Sequence, residues 1–229
     1  MKHLTYLFLF SFLFFLGCEE ESTTGTGDNT AITTITGKLE NWTHGAGKTI
    51  KIGNYITQTE YQIVGSGAIA ADGSFAIALL TPPESYLNYI QSPDSGAPAG
   101  ITSSDRNARV YGAGGFMIFD GSNFFAFVLC MNRDFRADTF WVPTVNDQIY
   151  QPTYFTARTT LNGSETEEED WDPRATTPTY ITRVVNNVTV AAGWNNVIGT
   201  VTAKTTNTVT FNMTLAAPTN LKWYYQRVN

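Results

Sequence analysis

The stretch YQIVGSGAIAADGSFAIALL, Tyr61 to Leu80, decides the fold. Asp72-Gly73 divides it into two apolar runs. That dipeptide turns a chain because glycine reaches positive φ without steric cost and an aspartate side chain bonds the backbone just ahead of it. Each run is short, punctuated by glycine, and of strand rather than helix length. Tyr61 to Ala70 and Ser74 to Leu80 are therefore predicted as two strands.

The same texture extends in both directions. Ile32 to Leu39 reads as a first strand, and Lys48 to Tyr55 as a second with Ile50 and Ile52 on one face. Pro82 to Tyr89 suits one short helix, since proline is tolerated in a first helical turn. Gln91 to Ser104 reads as loop. Arg109 to Phe119, the turn Asp120-Gly121-Ser122, and Asn123 to Met131 read as a long hairpin buried on both faces. Strand-like pieces follow around Phe140-Trp141-Val142 and Tyr154 to Thr160. Gly163 to Thr177 reads as an acidic, proline-containing loop. Tyr180 to Val190 is a strand, Gly193-Trp194-Asn195 a turn, and Val197 to Lys204 with Thr208 to Leu215 a hairpin about Asn207. Leu221 to Gln226 is a last strand. Short strands with closely spaced turns suggest a sandwich or a barrel; the fold expected is an all-β antiparallel sandwich of immunoglobulin-like layout, with at most one short helix.

Gly37, the strand pair after it, and Ala71-Asp72-Gly73-Ser74-Phe75 resemble the carboxypeptidase-regulatory or transthyretin-like sandwich of bacterial envelope proteins. The resemblance implies that the Asp-Gly turn leads a strand whose Phe75 packs inward. Val188 to Asn195 and Leu221-Lys222-Trp223-Tyr224-Tyr225 are similar to the C-terminal half of uncharacterised secreted β-domains, which imply no activity. The division expected is a signal over 1–17, a tether over 18–30 and a β-sandwich over 31–229, the last splitting at 92/93 if its first part is a transthyretin-like core.

The N-terminus carries the address. Lys2 and His3 precede a 13-residue apolar run, Leu4 to Leu16, broken only by Thr5 and Ser11. It is short for a membrane span, which takes ~20 residues, and suits a signal-peptide core. Phe15-Leu16-Gly17-Cys18 resembles a lipobox, so the segment is similar to a bacterial lipoprotein signal. That resemblance implies a diacylglyceryl group on the Cys18 thiol, cleavage before Cys18, and an acyl chain such as palmitate on the new amino group. An ordinary secretory signal cut nearby, or an uncleaved anchor, is the alternative. Two or three acyl chains anchor stably where one does not. The membrane is then a partner through the lipid, and the location is the bacterial cell envelope, at the outer membrane. Glu19 to Thr30 reads as a flexible tether spanning ~20 Å. Its Glu19-Glu20-Glu21 start resembles the export signals of surface lipoproteins in Bacteroidota, with a plain solvated spacer as the alternative.

Charge separates into the same parts. The net charge is −6, and −7 once Lys2 is removed. Glu19 to Glu21 and six acids between Glu165 and Asp172 account for more than all of it, leaving the remainder slightly basic. Such a balance, with 15% charged residues, excludes a nucleic-acid binder relying on a basic surface. The 14% aromatic content excludes a disordered chain.

Chemistry-bearing motifs are sparse. His44 and Cys130 cannot supply a His/Cys metal site. No Gly-x-Ser-x-Gly elbow accompanies His44 for a hydrolase triad. Cys130 ends an apolar run and reads as a buried structural thiol. Gly45-Ala46-Gly47-Lys48-Thr49 imitates the end of a phosphate loop but precedes a strand, so it reads as a turn. Gly112 to Gly115 marks a bulge or close backbone approach. Glu165, Glu167, Glu168, Glu169, Asp170 and Asp172 form a candidate calcium loop, against the plainer reading of a solvated acidic loop. Trp171, set among these acids, is the candidate glycan-stacking residue. No enzyme activity and no cofactor are expected. The function expected is that of a lipid-anchored envelope protein of structural, adhesive or interaction type, binding an envelope protein or glycan. A carbohydrate-binding or carbohydrate-hydrolysing sandwich is the alternative.

Overall fold

The side chain of Asp72 builds the turn between the two apolar runs. Its Oδ1 accepts the Ser74 hydroxyl at 2.7 Å and the Ser74 backbone N–H at 3.0 Å, and Lys38 Nζ donates to Oδ2 at 3.0 Å. These bonds, the Ser74 hydroxyl first, hold the Asp72 carboxyl well below the usual carboxylate range. Gly73 takes φ +87°. The structure, a computed structural model, describes residues 30–55, 61–90, 100–136, 142–169 and 175–227. The signal segment, Cys18, the tether up to Asn29, the stretch 91–99, Phe140-Trp141, and Asp170, Trp171 and Asp172 lie outside the described residues.

The strands are β1 (Thr34–Lys38), β2 (Thr49–Tyr55), β3 (Tyr61–Ala68), β4 (Ser74–Leu79), β5 (Asn88–Tyr89), β6 (Ile101–Ser103), β7 (Arg109–Gly112), β8 (Gly115–Asp120) and β9 (Asn123–Met131). They continue with β10 (Gln148–Tyr150), β11 (Thr153–Phe155), β12 (Thr159–Glu168), β13 (Tyr180–Val190), β14 (Gly193–Asn195), β15 (Val197–Lys204), β16 (Thr208–Leu215) and β17 (Lys222–Arg227). Together they make an all-β sandwich. The large sheet runs β1-β4-β3-β2-β8-β9-β10-β15-β16-β13-β12-β6, with β17 also on β9, and a small sheet runs β14-β11-β7-β5.

The first half of the large sheet folds over until its ends meet. Leu39, just past β1, bridges Trp223 of β17 in parallel, and the Glu40 N–H donates to the Trp223 carbonyl at 2.8 Å. Inside lies the main core, where Ile50, Ile52, Val64, Ile77 and Ile118 are fully buried. Trp223 occupies its centre. Phe75, Phe116 and Tyr150 contact the indole edge-on at 5.0, 4.8 and 5.9 Å between centroids. Gly37 passes so close that a β-carbon there would collide with the indole and with Phe75. Phe75 is thus buried, the position that the resemblance implied for it.

The small sheet is fixed by Trp194. Its indole N–H donates to the Leu80 carbonyl at 2.8 Å, its own carbonyl accepts the Ile32 N–H at 2.8 Å, and its ring meets Tyr111 and Tyr154. Asn195, 1% exposed, turns its amide back onto Ala191 and Gly193. Gly193-Trp194-Asn195 is therefore a short strand after a corner, not the expected turn. The corner itself lies at Gly193, with φ +103°.

Other expectations are corrected. The arm Arg109 to Phe119 is two strands in different sheets, because the chain crosses over at Ala113-Gly114. There the Gly114 N–H donates to the Gly53 carbonyl at 3.1 Å, and a β-carbon at Gly114 would displace the Asn54 side chain. This is the close approach read from the glycines. Within the stretch read as loop from Gln91 to Ser104, β6 pairs with β12. Pro82 to Tyr89 holds one 3₁₀ turn, Glu84–Tyr86, which buries no side chain, and then β5. The acidic stretch is a strand as far as Glu168, because β13 offers it a pairing edge. Pairing is not wholly antiparallel either. β13 and β16 run parallel, since β14 carries the chain across to the small sheet before β15 and β16 return.

Two stability changes follow. Trp223→Ala empties the centre of the core and lowers unfolding free energy by about 3–5 kcal/mol in urea titration. The Tyr111 hydroxyl is buried without a hydrogen-bond partner among the described residues, and burial pushes its pKa up to about 12. Tyr111→Phe removes that unsatisfied group and raises stability by about 1 kcal/mol in the same titration.

Candidate functional site

β12 and β13 are the two longest strands, at 10 and 11 residues. They pair from Thr159 opposite Val190 to Glu168 opposite Tyr180, with one register shift around Asn162. Strand pleating then sorts the side chains. On β13, Ile181 and Val185 are buried on the inner face and Arg183 stands between them. Glu165 lies opposite Arg183 in register. Glu167 and Glu169 follow Glu165 on the same face.

The Arg183 guanidinium joins these acids. It pairs with the Glu167 carboxylate and donates to Glu169 Oε2 at 2.9 Å. Burial lowers the pKa of Arg183 against the attraction of Glu165, and burial raises that of Glu169. Of the candidate calcium residues, Glu165, Glu167 and Glu168 stand on a strand, and Asp170 and Asp172 lie outside the described residues. Glu168 belongs to the opposite face, and the inner face carries its own cation. Among the described residues no group of three or more His, Cys, Asp or Glu stands close enough to share a metal.

Beside this charged row is a cleft of about 370 Å³ between the small sheet and the inner face of β12, β13 and β16. Its floor is apolar, with Phe155, Leu161, Val185 and Val190 buried there. Ile101, Val110, Val188, Met213 and Leu215 line it further. Glu165, Glu167 and Arg183 form the charged part of its wall. A partly open apolar space of this size with few convergent polar groups is the usual form of a small-ligand site. Arg183 also lines a second cavity of about 210 Å³, together with Glu169, Phe211, Tyr150 and Cys130.

The other sequence candidates lie elsewhere. Cys130 is 1% exposed and burial pushes its thiol up to about 12, so it stays protonated at neutral pH. His44 packs edge-on against Trp42, Phe125 and Tyr225. Burial first, then Arg227 and Lys48, lower its pKa. Gly45 and Gly47 take φ +66° and +98° in a turn leading into β2, with the Trp42 indole donating to the Gly45 carbonyl. Of the acidic run, the structure brings Glu165, Glu167 and Glu169 together with Arg183. Arg183 was missed in the sequence, although the signal was present: in Ile181-Thr182-Arg183-Val184-Val185 an arginine occupies a core-facing position of a strand.

No protein-family model, no curated protein and no solved structure matches this chain.

Replacing Arg183 with Met removes the cation shared by Glu167 and Glu169. The Glu169 pKa, already raised by burial, then rises further, as read by ¹³C NMR titration of the carboxyl carbon. An unchanged Glu169 titration would show that the guanidinium does not hold that carboxylate.

Proposed function

We propose that this chain is a lipid-anchored envelope protein whose sandwich serves as a binding module, with the inter-sheet cleft as its ligand site. The anchor rests on the segment Lys2 to Cys18 and the polar tether behind it. The binding role rests on one observation: an apolar cleft of about 370 Å³ lined by an acid–arginine cluster. Two carboxylates, Glu165 and Glu167, and one guanidinium leave the charged part of the cleft wall net negative. The fitting ligand is a molecule or peptide segment with an apolar body and a neutral or cationic polar group.

Two measurements test the two halves. Cys18→Ser abolishes metabolic fatty-acid labelling and releases the protein from membranes, whereas persistent labelling would remove the anchor. A fluorescent alkylammonium probe gains intensity on titration with the wild-type chain. That gain is lost in Val188→Trp, which fills the cleft, and reduced severalfold in Glu165→Gln. An equal response from Val188→Trp would place the binding elsewhere.

A further inference from the structure

The cleft has a second chamber beside it. Gln151, Arg183 and Met213 line both the cleft of about 370 Å³ and the neighbouring cavity of about 210 Å³. All three side chains are long and unbranched, so the partition yields by rotamer change rather than by backbone movement. The strand order explains the second chamber. Arg183 of β13 lies opposite Phe211 of β16, Met213 of β16 opposite Gly199 of β15, and Gly199 opposite Ile149 of β10. Gly199 puts no side chain into that row. A β-carbon there would come within 3.2 Å of Phe211 and 3.3 Å of Met213. Gly199 itself lines the second chamber.

The lining is sorted by polarity. The cleft floor is apolar at Phe155, Leu161 and Val190. The second chamber is apolar at Phe116, Val128, Ile181 and Phe211. Its Tyr150 hydroxyl is already bonded to Asn196 at 2.8 Å. Charge collects at the partition. Glu167 lines the cleft, Glu169 lines the second chamber, and Arg183 lines both and pairs with each of them. Gln151 adds a side-chain amide whose Nε2 makes a long bond, 3.5 Å, to the Ala113 carbonyl.

We infer that the two chambers hold one ligand, a secondary amide with an apolar group on each side, seated with its amide at Arg183. This rests on the reading of the cleft as a ligand site and names the chemistry that the site selects. A ligand that is apolar, then polar, then apolar matches the order of the lining. Its polar group must accept from a guanidinium and donate to a carboxylate at one place. A secondary amide is a neutral linkage that does both, through its C=O and its N–H. An ester has no N–H and leaves the carboxylate side without a donor. An ammonium has no acceptor and would face the Arg183 cation. Together the chambers fall within the size range of small-ligand sites. Acyl amines and apolar peptides both carry this linkage.

Isothermal titration of the full chain with N-hexylhexanamide, N-methylhexanamide and hexyl hexanoate tests it. The N-hexyl amide binds at least about tenfold tighter than the N-methyl amide, because its second arm is buried. It also binds at least about tenfold tighter than the ester. Ile149→Trp, which fills the second chamber, removes the advantage of the N-hexyl arm. The same variant binds the N-methyl amide as the wild type does, which also shows that it is folded. Equal affinity for amide and ester overturns the inference. So does equal affinity of the wild type for the two amides, or an advantage of the N-hexyl arm that survives in Ile149→Trp. Dihexylamine, cationic at neutral pH, binds more weakly than the amide, and tighter binding overturns the amide in favour of a central cation. A capped Leu-Leu dipeptide, titrated alongside, tells a peptide source from an acyl amine by which of the two binds tighter. The fluorescent alkylammonium probe separates this inference from the reading beneath it. A response to the probe without these differences leaves the cleft as a site and overturns the amide. No binding of the probe or of any amide overturns both.

Discussion

The contact between Trp223 and Gly37 is the constraint on which the sandwich depends. A strand from the end of the chain lies beside one from its beginning, because the missing side chain at Gly37 leaves room for the indole. Phe75, Phe116 and Tyr150 then close around the ring from three other strands. An aromatic of this size buries a large apolar area in one step, and its edge-to-face partners add orientation. The Leu39–Trp223 bridge is a consequence: once the indole is seated, the backbones of β1 and β17 are within pairing distance, and the first half of the large sheet is drawn around its own core.

The cleft follows from unequal strand lengths. The strands of the small sheet have two to four residues, whereas β12 and β13 have 10 and 11. Short strands cannot cover long ones, so the far ends of β12 and β13 keep an inner face that is only partly dry. Apolar side chains floor the covered part. Where cover ends, Arg183 and its acids take over, since a charge tolerates such a position only with a partner and residual hydration. The mixed lining of the cleft is therefore a feature of the architecture.

Much of this was legible along the chain, for a local reason. The Asp72-Gly73 turn, the faces of Ile50 and Ile52 and the β15–β16 hairpin are set by neighbours within a few residues, through turn chemistry and alternation. Errors gathered where pairing partners are remote. The acidic run reads as a loop because carboxylates are poor strand formers, yet it is a strand as far as Glu168 because β13 pairs with it. Gly193-Trp194-Asn195 reads as a turn because glycine and asparagine favour turns, but β11 and the Leu80 carbonyl hold its tryptophan in a strand.

The sequence by itself determined the all-β class, the positions of most strands, the concentration of negative charge in two acidic stretches of an otherwise near-neutral chain, and the expectation of a lipid anchor at Cys18. All of these rest on composition, period and local turns. Only the tertiary structure decided that Arg183 stands among Glu165, Glu167 and Glu169 beside a cleft, and that β13 and β16 run parallel. Each depends on which strands become neighbours. That choice is made by burial of Trp223 and Trp194 across more than a hundred residues of chain, a separation over which local propensity carries no information.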